Sequence, residues 1–128
     1  MIKIVLIGIG GAIGAMLRYI VSGLDYKYSY GIFPISTLVV NLSGSLIIGF
    51  LWVICEAAVV PSNIRMFIFI GILGGFTTFS TFALENFNLF RDGQKDIAFI
   101  NILISNILGI FLVYLGCILA KILLKLMK

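Results

Sequence analysis

The chain has 128 residues, 62% of them hydrophobic, with a net charge of +4 and no histidine, and its mean hydropathy is +1.23. Soluble domains are about 45–50% apolar, so this composition excludes a water-soluble fold and predicts an integral membrane protein. The cations form no dense run, which excludes a nucleic-acid interface, and no paired carboxylates, metal-ligand cluster or nucleophile–base pair offers a catalytic site.

The length suits four membrane-crossing helices of about 20 residues each, predicted at residues 4–24, 34–60, 65–90 and 97–124 of a single transmembrane domain, 1–128. In the first span, Gly8, Gly10, Gly11, Ala12, Gly14 and Ala15 make a slim face that lets another helix approach closely. Lys3 before an apolar run is a minimal signal-peptide n-region; the run continues past Arg18, so a retained span is expected. Tyr26, Tyr28 and Tyr30 follow at interfacial depth. The second span starts at Pro34, a residue suited to a helix's first turn. It carries Asn41, Ser43, Gly44 and Ser45, with Trp52 and Glu56 towards its far end and a turn at Pro61-Ser-Asn63. The third span is expected to break near Gly74 to Thr78. The fourth carries Asn101, Ser105, Asn106, Gly109 and Tyr114. Cys55 and Cys117 lie in apolar surroundings and read as small buried hydrophobes.

Four spans put the N-terminus, the 2–3 loop and the C-terminus on one side. Lys3, Arg65, Lys121, Lys125 and Lys128 lie there, against Arg18, Lys27, Arg91 and Lys95 on the other. The positive-inside rule needs an asymmetry to select one orientation, and five against four gives almost none. The expectation is insertion both ways and assembly as an antiparallel pair. That arrangement would supply the inverted symmetry that many transporters carry within one chain. Lys121, Lys125 and Lys128 are placed to meet anionic lipid headgroups.

Polar residues in the spans define the candidate site. Gly74 and Gly75 weaken a helix, and Thr77, Thr78, Ser80 and Thr81 can satisfy the backbone groups a break sets free. An unwound turn offers carbonyl oxygens to a small cation; a glycine kink used for packing would give the same pattern. Phe76, Phe79 and Phe82 recur every third residue. Aromatic ring edges are positive and could solvate an anion without formal charge, although such spacing also describes ordinary core. Asn41, Ser105 and Asn106 could donate to an anion or join helices as interhelical hydrogen bonds. Arg18 could attract anions to a pore mouth or reach for headgroups. Glu85 shares a helical face with Thr78 and Thr81 and could gate access.

Three blocks, Gly10-Gly-Ala-Ile-Gly-Ala-Met-Leu-Arg-Tyr19, Thr37-Leu-Val-Val-Asn-Leu-Ser-Gly-Ser45 and Gly74-Gly-Phe-Thr-Thr-Phe-Ser-Thr-Phe82 with Glu85, resemble the CrcB/Fluc family of fluoride channels in order and spacing. The resemblance implies an all-α protein with a broken third helix, assembled as an antiparallel dual-topology homodimer in the plasma membrane. It implies passive export of fluoride, resistance to fluoride toxicity, and a structural sodium ion held by the backbone carbonyls of Gly74 and Thr77. It further implies that Phe79 and Phe82 turn ring edges to the anion and that Asn41 is a pore amide. Ser105, Thr78, Ser80 and Thr81 would form a hydroxyl track, and Arg18 would stand at the vestibule. An oppositely oriented homologue could replace the second copy. The competing reading is a small multidrug-type exporter, which needs an intramembrane carboxylate that the first span lacks. A purely structural membrane subunit is the third.

Overall fold

The computed structural model describes residues 1–23 and 33–127. The interfacial Tyr26, Tyr28 and Tyr30, the cations Lys27 and Lys128, and the expected end of the first span at residue 24 lie outside them. The described residues are helical with no strand. They form α1 (Ile2–Ser22), α2 (Ile35–Ala57), α3 (Ser62–Met66), a π-helical stretch (Phe67–Leu73), α4 (Gly74–Phe76), α5 (Phe79–Arg91) and α6 (Lys95–Leu126). The pieces from Ser62 to Arg91 make one third span, so four segments are long and apolar enough to cross a membrane.

Boundaries follow local chemistry. Pro34 precedes α2 and does not start its first turn. α2 stops three residues short of the expected 60 because Val59 adopts a left-handed φ of 50°. There Val59 N–H donates to the Glu56 carbonyl and Val60 N–H to that of Cys55, which satisfies the last carbonyls of the helix. Gly93, at φ 79°, closes α5 in the same way, with Gln94 N–H donating to Leu89. Val59 adopts this conformation despite its branched Cβ, whereas glycine adopts it without penalty. The third span begins at Ser62, inside the expected Pro61-Ser-Asn63 turn; the turn falls at Ala58 and Val59, with Val60 and Pro61 between. At about 1.5 Å per residue, α6 is about 48 Å long, and it exceeds an apolar membrane core of about 30 Å.

Two glycine seams organise the bundle. α1 lies against the first half of the third span. A Cβ on Gly10 would come within 2.6 Å of the Phe67 carbonyl oxygen, and one on Gly75 within 2.6 Å of that of Gly11. Gly71 and Gly75, four residues apart and so on one face, both meet α1. α2 and α6 form the second pair, with Gly49 against the Val113 backbone and Gly116 against that of Leu46. Without water inside the bilayer, association depends on such close packing more than on hydrophobic burial. Gly8, also on the slim face of α1, has nothing near its missing Cβ.

Candidate functional site

The third span breaks at Thr77 and Thr78, not at the glycines. Gly74, Gly75 and Phe76 remain helical, while Thr77 (φ −78°, ψ 158°) and Thr78 (φ −148°, ψ 117°) are extended. Asn41 of α2 decides this. Its Oδ1 accepts from Thr78 N–H at 2.8 Å, and its Nδ2 donates to the Thr78 carbonyl at 3.0 Å. A backbone N–H must face an oxygen, so the amide orientation is fixed by its partner. Thr78 then caps α5: its Oγ1 accepts from Thr81 N–H at 3.2 Å and donates to Thr81 Oγ1 at 3.0 Å, with Ser80 Oγ 3.4 Å away.

These bonds release two backbone carbonyls. In a continuous helix, Gly74 C=O would accept from Thr78 N–H and Thr77 C=O from Thr81 N–H. Asn41 and the Thr78 hydroxyl hold those two donors instead. Gly74 and Thr77 both line a cavity of about 390 Å³. The released oxygens are hard, neutral ligands, a chemistry that suits a small monovalent cation.

The same cavity gathers Asn41, Thr78, Phe79, Phe82 and Ser105, and adds Ser45 and Asn106. Phe79 and Phe82 stand with ring centroids 5.7 Å apart and planes tilted by 44°. Phe79 is 79% exposed, so it is not a core residue of the single chain. Phe76 does not extend the pair into a row of three; it precedes the break and packs towards Gly44. A second cavity of about 380 Å³ lies on the other side of Thr78, lined by Arg18, Tyr19, Ser22, Thr37 and Thr81 among others. Thr78, only 7% exposed, is the wall common to both. Glu85 lines neither; it accepts a 2.7 Å hydrogen bond from Thr37 Oγ1. Ser80 touches the cavities only through Thr78.

The four cavity hydroxyls all donate within the chain: Ser45 to the Asn41 carbonyl at 2.8 Å, Thr77 to that of Leu73 at 2.9 Å, Thr78 to Thr81, and Ser105 to Asn101 Oδ1 at 3.3 Å. They present lone pairs to the cavity, the wrong polarity for an anion. Its amide donors are Asn41 and Asn106, each of which places one hydrogen on a backbone carbonyl and has a second. Sequence reasoning found Asn101 but gave it no role, and it passed over Asn86, to which Asn101 donates at 3.1 Å. An uncharged amide in an apolar helix was the available signal. Elsewhere, Cys55 is buried and Cys117, half-buried, donates to the Gly49 carbonyl at 3.3 Å; both are free. Trp52, near an end of α2, meets Phe69 with ring centroids 5.6 Å apart and planes tilted by 56°, and lies under the Arg65 guanidinium at 4.9 Å.

Residues 5–117 match the family model described as CrcB-like protein, Camphor Resistance (CrcB). The chain is 48% identical over 128 residues, the full length of both, to the fluoride-specific ion channel FluC of Parabacteroides distasonis. It is 43% identical to the protein of that name from Azobacteroides pseudotrichonymphae, over 93% of this chain and 96% of that one. The Ruminiclostridium cellulolyticum protein of the same name is 44% identical over 94% of each.

Proposed function

The chain belongs to the CrcB-like family, and on that premise we propose that it is a fluoride-conducting channel and not an enzyme. It is a multi-pass membrane protein whose transported species is the fluoride ion. The carrying observation is the cavity at the break in the third span, where Asn41, Phe79 and Phe82 meet without a formal charge among its lining residues. Fluoride must exchange its water for protein contacts, and conduction requires those contacts to be weak enough to release it. Ring edges and one amide hydrogen of Asn41 meet that requirement. Arg18, in the second cavity, raises the local anion concentration at the mouth. Ser105, Thr78, Ser80 and Thr81 form the hydroxyl track beside the path, with the Ser105 and Thr78 protons held at rest by Asn101 and Thr81. Glu85 governs access through Thr37, its hydrogen-bond partner in the wall of the second cavity.

The finer reading is passive electrodiffusion out of the cell, giving resistance to fluoride. Sodium, if bound, is held by the Gly74 and Thr77 carbonyls and supplies fixed positive charge near the path. An antiparallel second copy, or an oppositely oriented homologue, covers the open side of the cavity; the exposure of Phe79 supports that reading. Lipid surrounds the remaining apolar exterior.

The test is fluoride efflux from liposomes containing only this protein, with chloride as the control ion. Fluoride should leave rapidly and chloride should not. Phe79→Ile and Phe82→Ile should each cut efflux about tenfold or more, as the loss of about 1.4 kcal/mol of ion stabilisation would. Fluoride retention equal to that of empty vesicles overturns the proposal. Proton-driven uptake of a cationic dye would favour the exporter reading.

A further inference from the structure

A line of hydrogen bonds runs behind the cavity wall. Asn86 Nδ2 donates to the Phe82 carbonyl at 2.7 Å, Asn101 Nδ2 to Asn86 Oδ1 at 3.1 Å, and Ser105 Oγ to Asn101 Oδ1 at 3.3 Å. Asn101 is 1% exposed and Asn86 5%, and neither lines either of the two cavities described above. We propose that Asn86, acting through Asn101, sets the polarity of the Ser105 hydroxyl and thereby limits how tightly the cavity holds an anion. This rests on the channel reading above and goes beyond it.

The direction of every proton in the line follows from its last member. The Phe82 carbonyl only accepts, so the Asn86 nitrogen must face it. Asn86 then turns its oxygen to Asn101, which must answer with nitrogen. Asn101 turns its own oxygen to Ser105, which must answer with its only proton. The hydroxyl therefore points inward and shows lone pairs to the cavity. An arriving anion can take that proton only by leaving Asn101 Oδ1 buried and without a donor, a state that costs free energy. Ser45 and Thr77 differ, because their protons rest on backbone carbonyls four residues earlier in the chain. Ser105 is thus a donor that the protein pulls back. Asn86 and Asn101 are positioning residues: they never meet the ion.

Removing Asn86 lets Asn101 turn over, so that its nitrogen faces Ser105 and the hydroxyl proton is released to the cavity. Removing Asn101 takes away the competing acceptor. Both changes should tighten anion binding through Ser105.

The measurement is the fluoride concentration giving half-maximal efflux from liposomes holding the full chain. Asn86→Leu and Asn101→Leu should each lower it about tenfold, the worth of one hydrogen bond to a charged group. In a Ser105→Ala background neither substitution should move it, a dependence that general loosening of the bundle would not produce. If a single variant fails to fold because one amide is left unpaired, Asn86→Leu/Asn101→Leu removes both and carries the same expectation. An unchanged half-maximal concentration, or an equal shift without Ser105, overturns the proposal while the channel reading stands. A wild-type protein that passes no fluoride overturns both.

Discussion

A carboxamide carries a donor and an acceptor side by side, with the spacing of a peptide group. Asn41 uses both on Thr78, and so takes the place of the neighbours that the Thr78 backbone would have in a continuous helix. The break is therefore held by a side chain from another span, and the carbonyls of Gly74 and Thr77 are released as a consequence. Asn41→Ala leaves a buried N–H and C=O without partners, at about 1–3 kcal/mol. The expected outcome is a clear fall in the melting temperature of the purified protein together with loss of fluoride efflux. Asn41→Asp keeps the acceptor but not the donor, and should retain part of the stability. Equal melting temperatures for wild type and Asn41→Ala would show that the break stands without the clamp.

At the scale of elements, Gly71 and Gly75 of the third span serve contact and not unwinding. Gly74 and Gly75 are helical, and Gly75 packs directly on α1, with the Gly11 carbonyl oxygen 2.6 Å from where a Cβ would sit. That neighbour is backbone and cannot swing aside. Gly75→Ala should therefore destabilise by about 1–3 kcal/mol, as overpacking does, seen as a lowered melting temperature in detergent. Gly8→Ala is the contrast. Nothing lies within 4 Å of that position, and alanine gains up to about 1 kcal/mol of helix propensity over glycine. Gly8→Ala should be neutral or stabilising. The π-helical stretch Phe67–Leu73 lies in the same seam, with Gly71 against Gly10.

For the whole molecule, the decisive feature is a cavity that one chain does not enclose. Phe79 is among the most exposed aromatic rings of the described residues, although it adjoins the most polar part of the bundle. A second copy in the opposite orientation is the cover we propose, and the nearly balanced cations of the two sides are its sequence correlate. Asp92→Lys with Gln94→Lys adds positive charge to the loop between α5 and α6. Orientation should then become single-sided, read by reporters fused to the C-terminus, and functional dimers should fall several-fold because loop cations fix topology. Undiminished efflux from a strictly one-sided population would remove the antiparallel arrangement.

Composition and hydropathy alone determined a four-span helical membrane protein, because apolar length is a property each segment carries by itself. The break, too, was legible in Gly74 to Thr78 to within a few residues, since glycine and hydroxyl residues weaken a helix locally. Likewise, the pairing of Phe79 with Phe82 followed from their spacing. What only the tertiary structure decided is where the helix unwinds, which protons face the cavity, and that Asn86 stands behind Ser105. Each depends on a partner outside the local helix: Thr78 on Asn41, Gly75 on Gly11, and Ser105, through Asn101 one turn away, on Asn86 of the preceding span. A hydrogen bond has a direction set by the group that receives it, and no residue carries that information until the fold supplies the receiver.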